Sequence, residues 1–301
     1  MNLTQGWINL YKPTKISSFQ ALNKIKKKFF IKKIGHAGTL DPLAEGILPI
    51  ALGKATKLIP YVNIKLKTYI FTISWGSQTS TDDSEGNIIF KSQIIPNLDE
   101  INNNIKFFLG NIKQVPPKYS AVKINGHRAY ALKRKEKEFE IIPKTVFLNN
   151  LKIIKHENST TTFIAECGKG FYIRSLARDL ALHLNTYGHI SSLKRIKVGH
   201  FEKKSSILLD DLLKIGQRQM EINCVKSTIS MLDDILAYEI VEQNDIKNLS
   251  FGRPIKINEK LLNNSRSRNI DKNTIFLSHN GDVISIGKLV GNLFKPNKIL
   301  I

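Results

Sequence analysis

An α+β fold, one large mixed domain followed by a small β module, is what this sequence predicts from three observations. Thr68 to Trp75 alternates Tyr69, Phe71, Ile73 and Trp75 with Thr68, Ile70, Thr72 and Ser74, the period of a half-buried strand. Two other stretches open on a capping box and then repeat apolar residues at helical spacing, Ser17–Gln20 and Asn97–Glu100. From about Tyr238 the texture changes to short β-like pieces separated by polar turns. A chain of 301 residues is long enough for a sizeable core split between a large and a small domain.

In order, Trp7 to Leu10 reads as a strand ended by Tyr11-Lys12-Pro13. Ser17 then caps a helix whose Phe19, Leu22, Ile25 and Phe29 share a face, with Lys24, Lys26, Lys27 and Lys28 opposite and Lys32 and Lys33 just beyond. That basic side is either a solvated face or a phosphate-binding ridge. Gly35–Lys57 reads as a loop and then a partly buried apolar element, and the alternating strand follows. Thr79 to Gly86 is a polar loop whose acids lack the regular spacing of metal ligands. Asn97 opens a second helix with Leu98, Ile101, Ile105 and Phe108 on one face, stopped by Gly110.

Pro116-Pro117 breaks the pattern, and Asn125-Gly126 marks a tight turn into the basic segment Arg128 to Lys137, which holds Lys133, Arg134, Lys135 and Lys137. The region from about 116 to 144 reads as a projecting, mobile, cationic insertion. Strands over Thr145–Lys155 and Thr160–Cys167 lead to the Gly168-Lys169-Gly170 turn. Phe171 to Arg174 reads as extended, with a helix from near Ser175 carrying Leu176, Leu180 and Leu184. In such a strand Tyr172 and Arg174 leave on one side together. His189 to Phe201 reads as a further strand and Leu208 to Leu213 as the start of a helix. Beyond Tyr238, Phe251–Ile255, Thr274–Ser278 and Val283–Val290 are β pieces, separated by the polar stretch Asn263–Asn273 and the hairpin signal His279-Asn280-Gly281-Asp282. They suit a small β module of roughly sixty residues.

Forty-six Lys and Arg against 25 Asp and Glu leave a net charge of +21, an excess that favours a polyanionic partner, nucleic acid first. No run of about twenty apolar residues and no secretory layout at the N-terminus is visible, so a soluble, cytoplasmic protein without a membrane partner is expected. Cys167 and Cys224 lie far apart and near no histidine cluster, which points to reduced, structural thiols and to no zinc site.

The most informative stretch is GHAGTLDPLAEGILPIALGKATK, Gly35 to Lys57, centred on Asp41. Glycines allow sharp turns and close approach to a ligand, and Pro42 biases Asp41 toward an extended conformation, so the carboxylate sits on a stiff corner. Asp41-Pro42 also has the form of a helix N-cap followed by proline.

With LYKPTKISS, KTYIF around Tyr69, PPKYSAVKINGHRAY, GKGFYIRSLARDL and LKRIKVGHF in consistent order, this stretch resembles the TruB family of bacterial tRNA pseudouridine synthases. The resemblance covers Gly6 to about Asp234 and, more weakly, the C-terminal module. It implies a catalytic domain at 1–234 with a mixed, mainly antiparallel sheet and flanking helices, and at 238–301 a PUA-like β-barrel that binds RNA. It also implies isomerisation of uridine 55 in the T-loop of tRNA to pseudouridine, with no cofactor and no metal. By position, Asp41 matches the essential aspartate, Tyr69 the base-stacking tyrosine, Tyr172 the second active-site tyrosine and Arg174 the arginine that pairs with the aspartate. His36 matches the histidine that contacts the flipped-out bases, and Leu193 a wall of the uracil pocket. Lys12, Pro13 and the basic 124–137 segment match regions that support or contact the RNA. Among RNA-binding residues we place Lys24, Lys27, Lys28, Lys32, Lys33, Lys133, Arg134 and Lys135. Nothing in the chain demands a dimer, and a monomer acting on the T-arm is expected.

These roles agree with the chemistry. Pseudouridine formation breaks the N-glycosidic bond, turns the uracil and rejoins it through carbon, so a detached base must be held. A carboxylate can act as nucleophile, and an arginine keeps it ionised and oriented in a dry pocket. A tyrosine stacked on the base contributes roughly 1–3 kcal/mol. The other reading of the chain is a non-catalytic RNA-binding or tRNA-folding protein, which has no use for Asp41, Tyr69, Tyr172 and Arg174 together.

Overall fold

The computed structural model describes residues 5–62, 66–232, 235–240, 242–257 and 274–301. The polar stretch 263–273 and Asp234 lie outside these. The elements run β1 Gly6–Lys12, α1 Ser18–Lys28, β2 Ile34–His36, β3 Glu45–Leu52, β4 Lys67–Trp75, β5 Ser77–Thr79, β6 Ile88–Lys91, α2 Leu98–Asn104 and β7 Gly110–Gln114. A small hairpin, β8 Lys123–Ile124 and β9 His127–Arg128, precedes α3 Ala129–Arg134, and then come β10 Lys144–Glu157, β11 Thr160–Cys167, α4 Ile173–His183 and β12 Gly188–Val198. The chain continues through β13 Phe201–Glu202, β14 Ile207–Leu208, α5 Leu209–Lys214, α6 Gln217–Asn223 and β15 Val225–Lys226. Last are β16 Leu236–Glu239, α7 Gln243–Ser250, β17 Ile255–Lys256, β18 Thr274–His279, β19 Asp282–Val290 and β20 Leu293–Ile299.

The large sheet has the order β14-β1-β3-β12-β4-β11-β10-β7, with β2, β13 and β15 pairing off this path. All neighbours along it are antiparallel except β14 with β1 and β3 with β12, the mixed and mainly antiparallel sheet expected. The parallel contact of β3 with β12 requires glycine at Gly46. Its φ is +116°, and a Cβ there would stand 2.1 Å from the Arg195 carbonyl oxygen. In β4 the alternation holds, with Tyr69, Phe71, Ile73 and Trp75 buried.

One face of the sheet packs against α1 and α4 through Leu22, Ile25, Leu176 and Leu180. The other face of β1 and β3 offers Trp7, Tyr11, Ile47 and Ala51 to a second cluster that includes Phe276, Val283, Ile286 and Leu300 of the C-terminal sheet. Trp7 Nε1 also donates to the Thr228 carbonyl at 3.1 Å, and Lys57 Nζ to that of Ile299 at 2.6 Å. The element after Asp41 is fully buried from Gly46 to Leu52, where both faces of β3 are covered, and only partly buried at Glu45 and beyond Leu52; a strand covered on both faces reads as a continuous apolar run. The C-terminal strands form a five-stranded sheet, β16-β18-β19-β20-β17, curled rather than closed into a barrel among the described residues. It turns between β18 and β19 on Asn280 and Gly281, both at positive φ.

Several expectations are corrected. Both capping boxes form, at Ser17 and at Asn97. Phe19, however, is 69% exposed, because the cap sets the helix phase so that Ser18, Ala21, Leu22 and Ile25 face inward. Leu98, in the first helical position of α2, is likewise exposed, and only Ile101 and Ile105 are buried. No helix begins at Asp41. Instead the Ala44 N–H bonds back to the Asp41 carbonyl at 3.1 Å, a turn with Pro42 in its second position. Near Phe251 the chain is not strand but the end of α7.

Candidate active site

A cavity of about 540 Å³ opens between the Asp41 loop, the ends of β4 and β12, the start of α4 and the 119–134 segment. Asp41, Tyr69, Tyr172, Arg174 and Leu193 all line it. Residues spread over more than 150 positions are thus brought together by the order of strands in the large sheet.

The loop that carries Asp41 is held from both sides. Ser18 Oγ, near the N-terminus of α1, donates to the Leu40 carbonyl and accepts from the Leu40 N–H, each at 2.9 Å. From β12 the Arg195 side chain, 1% exposed, donates to the carbonyls of Ile47 at 2.7 Å, Gly38 at 2.9 Å and Thr39 at 3.3 Å. A turn saturated in this way has little freedom to swing the carboxylate.

Arg174 meets Asp41 with Nη2 to Oδ2 at 2.9 Å. The contact is single, not the two-pronged fork the pairing implies, because the guanidinium is shared. Nη1 donates to the Thr81 carbonyl at 2.9 Å and lies 3.5 Å from Asp83 Oδ2, while Nη2 also reaches the Tyr119 carbonyl at 3.1 Å. Arg174 is buried and Asp41 about one-third exposed, so one oxygen is anchored while the carboxylate stays open to the cavity.

The chain around Tyr172 differs from the expected extended segment. Helix α4 starts two residues earlier, at Ile173, with Tyr172 as its extended N-cap and Arg174 in its first turn. Both side chains still reach the cavity. What fixes them is Gln114 at the end of β7: its Nε2 donates to the Tyr172 carbonyl at 3.1 Å and its Oε1 accepts from the Tyr172 N–H at 2.8 Å. Ser175 and Arg178 each donate to the Val115 carbonyl at 2.8 Å, which ties the same helix end to the same strand end.

Burial pushes the Tyr172 hydroxyl above its ordinary pKa, with the nearby Asp41 carboxylate adding to the rise, and burial raises Tyr69 too. Both stay protonated well beyond neutral pH. Lys67, which also lines the cavity, is pushed down to about 8 by burial and then by Arg195.

Of the remaining expected residues, only Arg134 lines the cavity. Lys12 is fully buried, donates to the carbonyls of Pro13 and Ile16 at 2.7 Å each, and is outside the cavity lining, a support beneath the site rather than a surface contact. Its pKa is lowered to about 8 by burial. Pro13 and His36 are also outside the lining; His36 pairs with Ile50 at the end of β2 and is held below its ordinary pKa by burial and then by Arg195. Lys24, Lys27, Lys28, Lys32, Lys33, Arg134 and Lys135 are exposed and Lys133 is half-buried. The 116–144 insertion is not all projection: Ala129 is buried, and Tyr119, Ser120, Ala121, Tyr130 and Arg134 form one cavity wall. Among the described residues no group of His, Cys, Asp or Glu could hold a metal.

Sequence reasoning missed Arg195, Lys67, Gln114 and the acids of the 79–86 loop. That loop is not a bystander: Asp83 and Glu85 line the cavity and Asp82 pairs with Arg178 at 3.1 Å. The signal for Lys67 was present, since it precedes Tyr69 by two on the same strand.

Residues 26–173 match the TruB family pseudouridylate synthase N-terminal domain, and 174–237 match the tRNA pseudouridylate synthase B C-terminal domain. The chain belongs to the TruB family. Among curated relatives, tRNA pseudouridine synthase B of Ehrlichia ruminantium (strain Gardel) is 41% identical, covering 98% of both chains. That of Rickettsia bellii (strain OSU 85-389) is 40% identical over 97% of both. The solved Cbf5-Nop10-Gar1 complex contains a chain that superposes with a TM-score of 0.72 at 22% identity, covering 99% of this chain and 85% of that one, a likeness of fold. The matched residues span the cavity lining, from the Asp41 loop through β12. Among the described residues no helix is long and apolar enough to cross a membrane.

Proposed function

We propose that this protein isomerises a uridine of tRNA, uridine 55 of the T-loop, to pseudouridine. The observation that carries the reading is the Asp41 carboxylate 2.9 Å from Arg174 at a cavity of about 540 Å³ with Tyr69, Tyr172 and Leu193 in its walls. A cleft of that size suits one nucleotide withdrawn from its stack.

In this reading Asp41 is the nucleophile, oriented by Arg174 and left with one oxygen open to the substrate. Tyr69 and Leu193 hold the uracil between an aromatic face and an apolar wall. Tyr172 assists removal of the proton from the base carbon once the new bond has formed. His36, beside the loop, fills space left by the flipped base, and the exposed lysines of α1 with the basic residues 133–135 hold phosphates. No step draws on a metal or cofactor. Residues 1–234 act as the catalytic unit and 238–301 as a PUA-like RNA-binding module, a division supported by the change from the large to the C-terminal sheet. The cavity is complete within one chain, which supports a monomer, working in the cytoplasm on the T-arm.

The test is incubation with an unmodified tRNA transcript, without added metal, followed by mapping of pseudouridine. Conversion in the T-loop is expected. Conversion elsewhere keeps the chemistry and refutes the substrate position; tight binding without conversion supports the non-catalytic alternative.

A further inference from the structure

We propose that Lys67 is a catalytic residue of this site: its ammonium takes up the negative charge that the uracil carries while it is detached from the sugar. This rests on the pseudouridine-forming reading above.

Lys67 and Tyr69 are two apart on β4, so their side chains leave on the same face, and both line the cavity. Gly38, at φ +105°, presents no side chain there; a Cβ on it would stand 3.5 Å from Lys67 Nζ and 3.6 Å from Arg195 Nη1. Within the lining, Asp41 and Asp83 gather at Arg174, while Lys67 and Arg195 come together at Gly38. Both arginines are already committed. Arg174 serves Asp41 and Asp83, and Arg195 is used by three backbone carbonyls and by the Tyr69 hydroxyl. Lys67, among the described residues, pairs with no carboxylate.

A desolvated ammonium without a counter-charge is costly, and such a group persists where a ligand supplies the missing anion. The reaction makes one in the right place. As the Asp41 carboxylate bonds to C1′ the C1′–N1 bond breaks, its electron pair stays on N1, and the uracil becomes an anion with charge shared between O2 and O4. The ring turns, C5 displaces the Asp41 carboxylate from C1′, C5 loses its proton and N1 gains one, so the net change is an isomerisation with no outside reagent. A cation that lines the same cavity, two residues before the stacking tyrosine on its strand, interacts weakly with the neutral base and strongly with the anion. It therefore acts on the step rather than on binding.

The groups facing Lys67 allow the pH dependence to be worked out. They are Arg195 from β12, Cys167 at the end of β11, and Lys169 in the turn beyond it. Burial pushes the Cys167 thiol up to about 12, so it stays neutral, and the two cations only add to the fall in the Lys67 pKa. The ammonium is present at neutral pH and is lost as pH rises through about 8, so turnover falls on the alkaline side.

The experiment compares the wild type with Lys67→Met, Lys67→Gln and Lys67→Arg, measuring single-turnover rate and Kd for an unmodified tRNA transcript from pH 6 to 9.5, with thermal unfolding to verify folding. We expect Lys67→Met and Lys67→Gln to lose about 100-fold or more in rate with Kd within about threefold, as for a group acting in the transition state. Lys67→Arg should recover at least about tenfold of that loss and keep its rate at pH 9, because the guanidinium stays charged. An unchanged rate in both neutral variants overturns the proposal. So does a weakened Kd with a salt slope smaller by about one and an unchanged rate, the signature of a phosphate contact. An alkaline fall that persists unaltered in Lys67→Arg assigns it to another group, such as Lys12, and counts against Lys67. If the wild type forms no pseudouridine, the functional reading fails instead.

Discussion

Asp41 is anchored through one oxygen, and the partner that anchors it is itself anchored three more times. Replacing Asp41 by Asn keeps the shape and removes the carboxylate proposed as nucleophile, so pseudouridine formation should fall below detection while tRNA affinity changes less than about tenfold. Turnover surviving in that variant would remove Asp41 from its assigned role. Arg174→Lys removes more than a charge. An ammonium on a flexible stem cannot span Asp41 Oδ2 and the Thr81 and Tyr119 carbonyls from one plane, so at least one buried acceptor is left unpaired. A loss of about 100-fold in turnover is expected, read in the same assay, and near-normal activity would show that the shared fork is dispensable.

At the scale of elements, the site depends on where β7 ends and α4 begins. Gln114 is 1% exposed and uses its amide to satisfy both backbone groups of Tyr172, the residue that caps α4. Gln114→Ala leaves that N–H unpaired and the carbonyl with the Leu176 N–H as its remaining partner, a destabilisation of about 1–3 kcal/mol that thermal unfolding would detect. Because the same cap carries Tyr172 and precedes Arg174 by two, we expect kcat to fall by about tenfold or more with KM little changed. A lower melting temperature with kcat intact would reduce Gln114 to a structural role. Gly46 illustrates the same dependence, since Arg195 can pin the Asp41 loop only because β12 comes so close to β3.

For the whole molecule, two features dominate, the shared apolar cluster between the two sheets and the net charge of +21. The cluster seats the C-terminal module on the back of β1 and β3, so it is packed against the scaffold that holds the cavity. The charge sets how binding answers to salt. Lys24, Lys27 and Lys28 are exposed on α1, and replacing all three by Gln should leave the rate at saturating tRNA unchanged. The slope of log Kd against log salt should shrink by about one for each phosphate that the variant no longer neutralises. An unaltered slope would make this face an ordinary solvated one.

Local features were legible because their causes are local. A Ser or Asn with Glu or Gln three residues on satisfies helix N–H groups wherever it stands, and both capping boxes form as written. The alternation of β4 and the Asn-Gly turns held for the same reason. Motif content alone places Asp41, Tyr69, Tyr172, Arg174 and Leu193 in one set, and one cavity holds all five. The sequence by itself thus determined most of the elements, the family and the set of side chains that gather at the cavity. The tertiary structure alone decided how they are held: that β3 is buried on both faces, that α4 starts at Ile173, and that Arg195 and Gln114 serve backbone groups far away in the chain. Those decisions depend on which strands become neighbours, and a carbonyl 148 or 157 residues distant leaves no mark on the spacing around an arginine. Lys67 joins both lists: its place two residues before Tyr69 is written in the strand, and its want of a counter-charge appears only when the cavity closes around it.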